Sequence, residues 1–136
     1  AVFVNDLVAA GGRVGVGGHG QLHGVGWHWE LRSMQSGGMS EHDALRVATI
    51  YGAEAIGFGN DLGTLEAGKL ADIVILDADP LQDIRNASAI YSVMKNGRMY
   101  DGDTLDETWP RQRALPHYYW MDQAPVRVGA GMPGGR

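Results

Sequence analysis

Three histidines, His19, His23 and His28, form a run His-x3-His-x4-His, and imidazoles serve as metal ligands and as proton carriers near neutral pH. The first spacing would place two rings on one face of a helix, as helical zinc motifs do. Gly17, Gly18, Gly20, Gly24 and Gly26 argue against a helix across this stretch, because each costs up to about 1 kcal/mol relative to alanine. A closed three-histidine site inside the segment is therefore disfavoured. His23 fits better as one contributor to a site completed by groups elsewhere. For His28 and Glu30, hydrogen bonding that fixes the loop outweighs a catalytic role. The plain alternative for His19 is a loop histidine bonded to neighbouring backbone.

Other patterns carry less. Gly15-Val16-Gly17-Gly18-His19-Gly20 satisfies G-x-G-x-x-G, but dinucleotide binding needs a full strand before it and a helix opening at its last glycines. Only Arg13 and Val14 precede the motif, and Gly24 and Gly26 are expected to delay the helix. Asp72, Asp77, Asp79 and Asp83 lack the glycine and closing glutamate of a calcium loop, so they read as solvated or turn-forming carboxylates. Lys69 follows Gly68 in a turn and is expected to be exposed.

The elements that position these residues follow from periodicity. Val4, Leu7 and Val8 lie at helical spacing within residues 3–10, and Gly11-Gly12 supplies a stop. Residues 13–16 are a short β-compatible stretch, expected to be a strand opening into the glycine-rich loop. A helix is predicted over 27–36 from Trp27, Leu31 and Met34. Ser40 has the features of an N-cap, with Asp43 three positions on, for a helix over about 41–55. Ala44, Leu45, Ala48, Tyr51 and Ala55 of that helix form a small-residue stripe suited to packing against a sheet. Residues 70–76 are β-rich, and Asn96-Gly97 is the strongest short signal for a hairpin within 91–100. Beyond Asp103 the chain turns polar and aromatic, and its final dozen residues are expected to be poorly ordered.

The bulk properties exclude several classes. At 136 residues with 44% hydrophobic content, the chain can bury a moderate core. Its net charge of -5 is spread without a basic stripe, which removes nucleic acid as a partner. No apolar run approaches the roughly 20 residues of a membrane span, so the chain reads as soluble and no membrane partner is expected. The lack of cysteine fits a cytoplasmic or a periplasmic setting equally. The first residues, Ala-Val-Phe, suggest a missing amino-terminal partner.

Residues 62–77, Leu-Gly-Thr-Leu-Glu-Ala-Gly-Lys-Leu-Ala-Asp-Ile-Val-Ile-Leu-Asp, resemble the signature of the amidohydrolase superfamily, of the imidazolonepropionase and dihydroorotase kind. Residues 41–55 resemble the family's "eALraaT…A…lG" helix. Asp79-Pro80-Leu81-Gln82-Asp83-Ile84 resembles "DPLxDI", and Val93-Met94-Lys95-Asn96-Gly97-Arg98 resembles the closing hairpin. The run from His19 to Leu31 is similar to a branch with "HGQ…HWE".

The resemblance implies an α/β fold. Residues 1–57 would be the end of a (β/α)8 barrel, 58–104 part of a composite β-sandwich built from both chain ends, and 105–136 a polar and aromatic tail. The domain would be incomplete. Family members hydrolyse C–N and related bonds with one or two divalent metals, zinc foremost. Their eighth strand ends in Gly-Thr-Asp, whose Asp binds metal and acts as base, whereas this chain reads Gly17-Gly18-His19. His19 is then the candidate catalytic and metal-binding residue, at the face where barrel active sites gather. Gln21, His23 and Trp27 are the candidate substrate contacts, for an amide or peptide-like small molecule. The remaining ligands lie on earlier strands, so the chain alone is expected to be inactive and to associate with the rest of its own chain or with further copies. The rival reading is a non-catalytic barrel end or sandwich module used for assembly.

Overall fold

The computed structural model describes residues 1–20 and 22–122. Among these, helices α1 (Val2–Ala9), α2 (His23–Ser36), α3 (Glu41–Ala48) and α4 (Ile50–Ala55) come first. Strands β1 (Ile73–Leu76), β2 (Ile90–Lys95), β3 (Arg98–Asp101) and β4 (Glu107–Trp109) follow as one antiparallel sheet in chain order. A 3-10 turn, Ile84–Ser88, separates β1 from β2.

Local chemistry explains the boundaries. Ser40 caps α3 by accepting the Asp43 N–H at 3.1 Å, as its spacing predicts. The single helix expected over 41–55 is interrupted at Thr49, whose φ of -129° and ψ of -97° are not helical. The Thr49 hydroxyl donates to the Leu45 carbonyl at 2.7 Å, a local bond that competes with helix continuity. Asn96 and Gly97 both take positive φ, 49° and 75°, and form the tight hairpin turn their types predict.

Helix α2 begins at His23, earlier than expected, and includes Gly24 and Gly26. The packing of Trp27, Leu31 and Met34 further along the helix outweighs their propensity cost; Gly24 itself stands in open space, and a Cβ on Gly26 would make only ordinary contact, 3.7 Å, with the Gly18 carbonyl. The strand expected at 13–16 is not formed. A strand needs a neighbour to take its backbone hydrogen bonds, and among the described residues no other segment pairs with this one. β1 starts only at Ile73, because the Leu70 and Asp72 N–H groups are taken by the Asp61 and Leu70 carbonyls.

The core lies among the helices. Leu31 and Met34 of α2, Ala44 and Val47 of α3, Tyr51 of α4, and Ile84 and Ala87 of the 3-10 turn are buried together with Met39. Burying side chains such as Leu31 and Val47 contributes about 1.5–3 kcal/mol each. The small-residue stripe packs helix against helix, with Ala55 left exposed, and not against a sheet. The 3-10 turn touches both α2 and β1 and so joins the helical part to the sheet. β4 extends that sheet past residue 104 into the segment expected to be tail. The final dozen residues, and the disorder expected of them, lie outside the described residues.

Candidate active site

The glycine-rich segment is held from both sides. At its start, Arg13 pairs with Glu54 of α4, and its guanidinium lies 4.4 Å from the centre of the Tyr51 ring. Arg46 of α3 sits 4.5 Å from the same ring, so the buried tyrosine joins both helices to the segment. A Cβ on Gly15 would stand 3.1 Å from the Gly52 Cα, which explains why two glycines meet there. Val14 and Val16 pack on the helical core.

At its end, one oxygen of the Glu30 carboxylate, Oε2, accepts the N–H of Gly17 at 2.9 Å and that of Gly18 at 2.6 Å. This loop-fixing role is the one its spacing suggested. Gly18 has φ +55°, and a Cβ there would lie 3.1 Å from the Trp27 Cα. Both the backbone angle and the close approach call for glycine.

His19 is the next residue and is exposed. Gln21 lies outside the described residues. His23 opens α2, but its side chain is outside the described set. Trp27 is half-buried, packed on the helical core, with its ring edge-to-face with His28 at 5.0 Å. Burial, and then the charge of Arg32, holds the His28 pKa below its ordinary value. Gly18 thus lies against Trp27, and His19, the next residue, is exposed.

A metal could take one nitrogen donor from His19. Among the described residues no three His, Asp or Glu side chains cluster to hold an ion, so the chain fits a metal only as a contributor to a shared ligand set. A cleft of about 340 Å³ lies elsewhere, lined by Arg32, Gln35, Glu41, Asp83 and Arg85 among others, and among the described residues neither His19 nor Trp27 lines it. Arg85 there holds the Asp83 carboxyl down to about 2, mainly through side-chain hydrogen bonds.

Two other residues are structural. Asp72 accepts the Asn96 N–H at 2.7 Å and pairs with Lys95, so it anchors the hairpin turn. Lys69 is not exposed as expected. Its side chain is 12% accessible, and its Nζ donates to the Gly59 carbonyl at 2.8 Å and to the Thr64 hydroxyl at 2.5 Å. Folding the loop back over the lysine satisfies two oxygens that would otherwise compete for water. The Arg13, Tyr51 and Glu54 grouping has no sequence signal, since its members are far apart in the chain.

Residues 4–100 match the model of the amidohydrolase family. The chain belongs to that family. It is 38% identical over 79 residues to an imidazolonepropionase of Shouchella clausii, an alignment covering 55% of this chain and 18% of the relative. Among solved structures it resembles phenylurea hydrolase B, with TM-score 0.53 and 42% identity over 65% of this chain and 19% of the other. It also resembles a Xaa-Pro dipeptidase, with TM-score 0.53 and 32% identity over 56% of this chain and 19% of the other. The chain spans less than a fifth of the length of the curated relatives it matches. No helix of the described residues is long and apolar enough to cross a membrane.

Proposed function

We propose that this chain is the carboxy-terminal piece of a metal-dependent amidohydrolase that hydrolyses C–N bonds of amide, cyclic amide or peptide-like small molecules. Residues 1–57 close the (β/α)8 barrel, and the composite sandwich starts at 58 and runs past 104 through β4 (Glu107–Trp109). The observation that carries this reading is the family match over residues 4–100, joined to a glycine segment pinned on both sides that leaves His19 exposed at its end. Relatives described as a dipeptidase and a phenylurea hydrolase support the reaction class.

His19 would hold a divalent metal, zinc foremost, together with ligands from outside this chain, and that ion would supply the Lewis acidity that activates water. His19 offers an imidazole nitrogen to that metal, or holds and returns a proton at the same position. Gln21, His23 and Trp27 shape the substrate side. Residues 13–16 take neighbours from the rest of the barrel, which would complete the missing strand. Exposed Val2, Phe3, Val74 and Tyr91 support a partner, either the remainder of the chain or another copy.

The rival reading, a non-catalytic assembly module, is favoured by one observation: His19 stands where the family's metal-binding Asp is expected. Assaying this chain and the intact protein with zinc or manganese against amide and dipeptide panels tests the proposal. Activity confined to the intact protein is expected. Equal activity in both, or none in the intact protein, overturns it.

A further inference from the structure

We propose that Glu30 is the positioning residue of His19, holding the end of the glycine segment so that the imidazole projects from a fixed point. The inference rests on the functional reading above. Three observations carry it. Glu30 Oε2 takes two consecutive backbone N–H groups, Gly17 at 2.9 Å and Gly18 at 2.6 Å. Hydrogen bonds to an ionised carboxylate are stronger than neutral ones, and a shared oxygen fixes the angle between the two peptides. The same helix also crowds Gly18 from behind, because a Cβ there would lie 3.1 Å from the Trp27 Cα, one turn before Glu30.

Helix α2 therefore grips Gly18 at two points, through its own backbone at Trp27 and through the Glu30 side chain. The grip ends there. Gly20 has open space where a Cβ would be, and His19 is exposed. The position of the imidazole is thus set by the peptide immediately before it, which Glu30 holds. Without that carboxylate, the Gly17 and Gly18 N–H groups lose their acceptor, and only the contact with Trp27 still restrains Gly18. Groups that orient a metal-binding residue from behind typically change metal affinity or activity 10–100-fold when removed.

The test uses the intact protein and the variants Glu30→Ala, Glu30→Gln and His19→Ala. Zinc affinity is measured by competition with a chromophoric chelator, and the visible spectrum is recorded with cobalt in place of zinc. Glu30→Ala should weaken zinc binding about 10–100-fold and alter the cobalt spectrum, with kcat falling more than KM changes. Glu30→Gln, which keeps an oxygen acceptor but a weaker, uncharged one, should fall between Glu30→Ala and wild type in both zinc affinity and cobalt spectrum. If Glu30→Ala keeps zinc affinity and the cobalt spectrum while His19→Ala loses both, the positioning role is wrong and the functional reading stands. If His19→Ala loses neither, the metal-ligand role of His19 on which this inference rests fails with it. Should Glu30→Ala not fold, Glu30→Gln decides alone: the role requires a cobalt spectrum displaced from wild type, because a neutral amide cannot hold both N–H groups as the carboxylate does, and an unchanged spectrum refutes it.

Discussion

Replacing Gly18 with alanine should destabilise the chain, and the size of the effect follows from two terms. At φ +55° an L-residue pays roughly 1–2 kcal/mol for the left-handed backbone. The added methyl would also meet the Trp27 Cα and Cβ, each at 3.1 Å, and neither atom belongs to a flexible side-chain end. Overpacking of that kind costs about 1–3 kcal/mol, so the sum is about 2–5 kcal/mol. Gly24→Ala is the internal control. Gly24 is within α2 with nothing near its would-be Cβ, so alanine there should stabilise by about 0.5–1 kcal/mol. Urea unfolding followed by far-UV circular dichroism measures both. A Gly18→Ala variant as stable as wild type would show that α2 does not press on the loop, and the geometry behind His19 would have to be abandoned.

Other expectations follow from the same contacts. Asp72→Ala should cost about 1–2 kcal/mol, because the carboxylate that anchors the hairpin turn is mostly but not wholly shielded. Hydrogen bonds from Lys95 and from the Asn96 amide hold the Asp72 carboxyl below its ordinary 3.8. A depressed carboxyl pKa gives stability that is present above 3.8 and lost as pH falls through the lower folded value, so thermal melts between pH 5 and about 2 should show a smaller acid loss in Asp72→Ala than in wild type. Leu31→Ala should remove about 2–5 kcal/mol, since the side chain is 1% exposed in a small core. Trp29→Ala, at 57% exposure two positions earlier, should stay within about 0.5 kcal/mol, and equal losses in the two would contradict the assignment of the buried face.

Local signals were legible in the residues where short-range chemistry decides the outcome. Ser40 and Asp43 mark the start of α3, and Asn96-Gly97 sets the hairpin, because a cap and a type I′ turn depend on a few adjacent groups. Features set by distant partners were not legible. The early start of α2 through Gly24 and Gly26 and the unpaired residues 13–16 each depend on what packs alongside. Lys69 shows the same limit, since Gly59 and Thr64 reach it only after the loop folds back. Of the candidate site, the loop position of His19 and a loop-fixing hydrogen-bond role for Glu30 could be read from the sequence, but its partners Gly17 and Gly18 could not. The Arg13 and Glu54 pairing across 41 positions could not.

The central claim is that His19 contributes to a metal site shared with strands outside this chain. Metal analysis of the intact protein and its His19→Ala variant tests it most directly. The account predicts stoichiometric zinc, or a related divalent ion, in the intact protein and its loss in the variant. A metal-free intact protein, or metal content unchanged by the substitution, would contradict the account and favour the non-catalytic module.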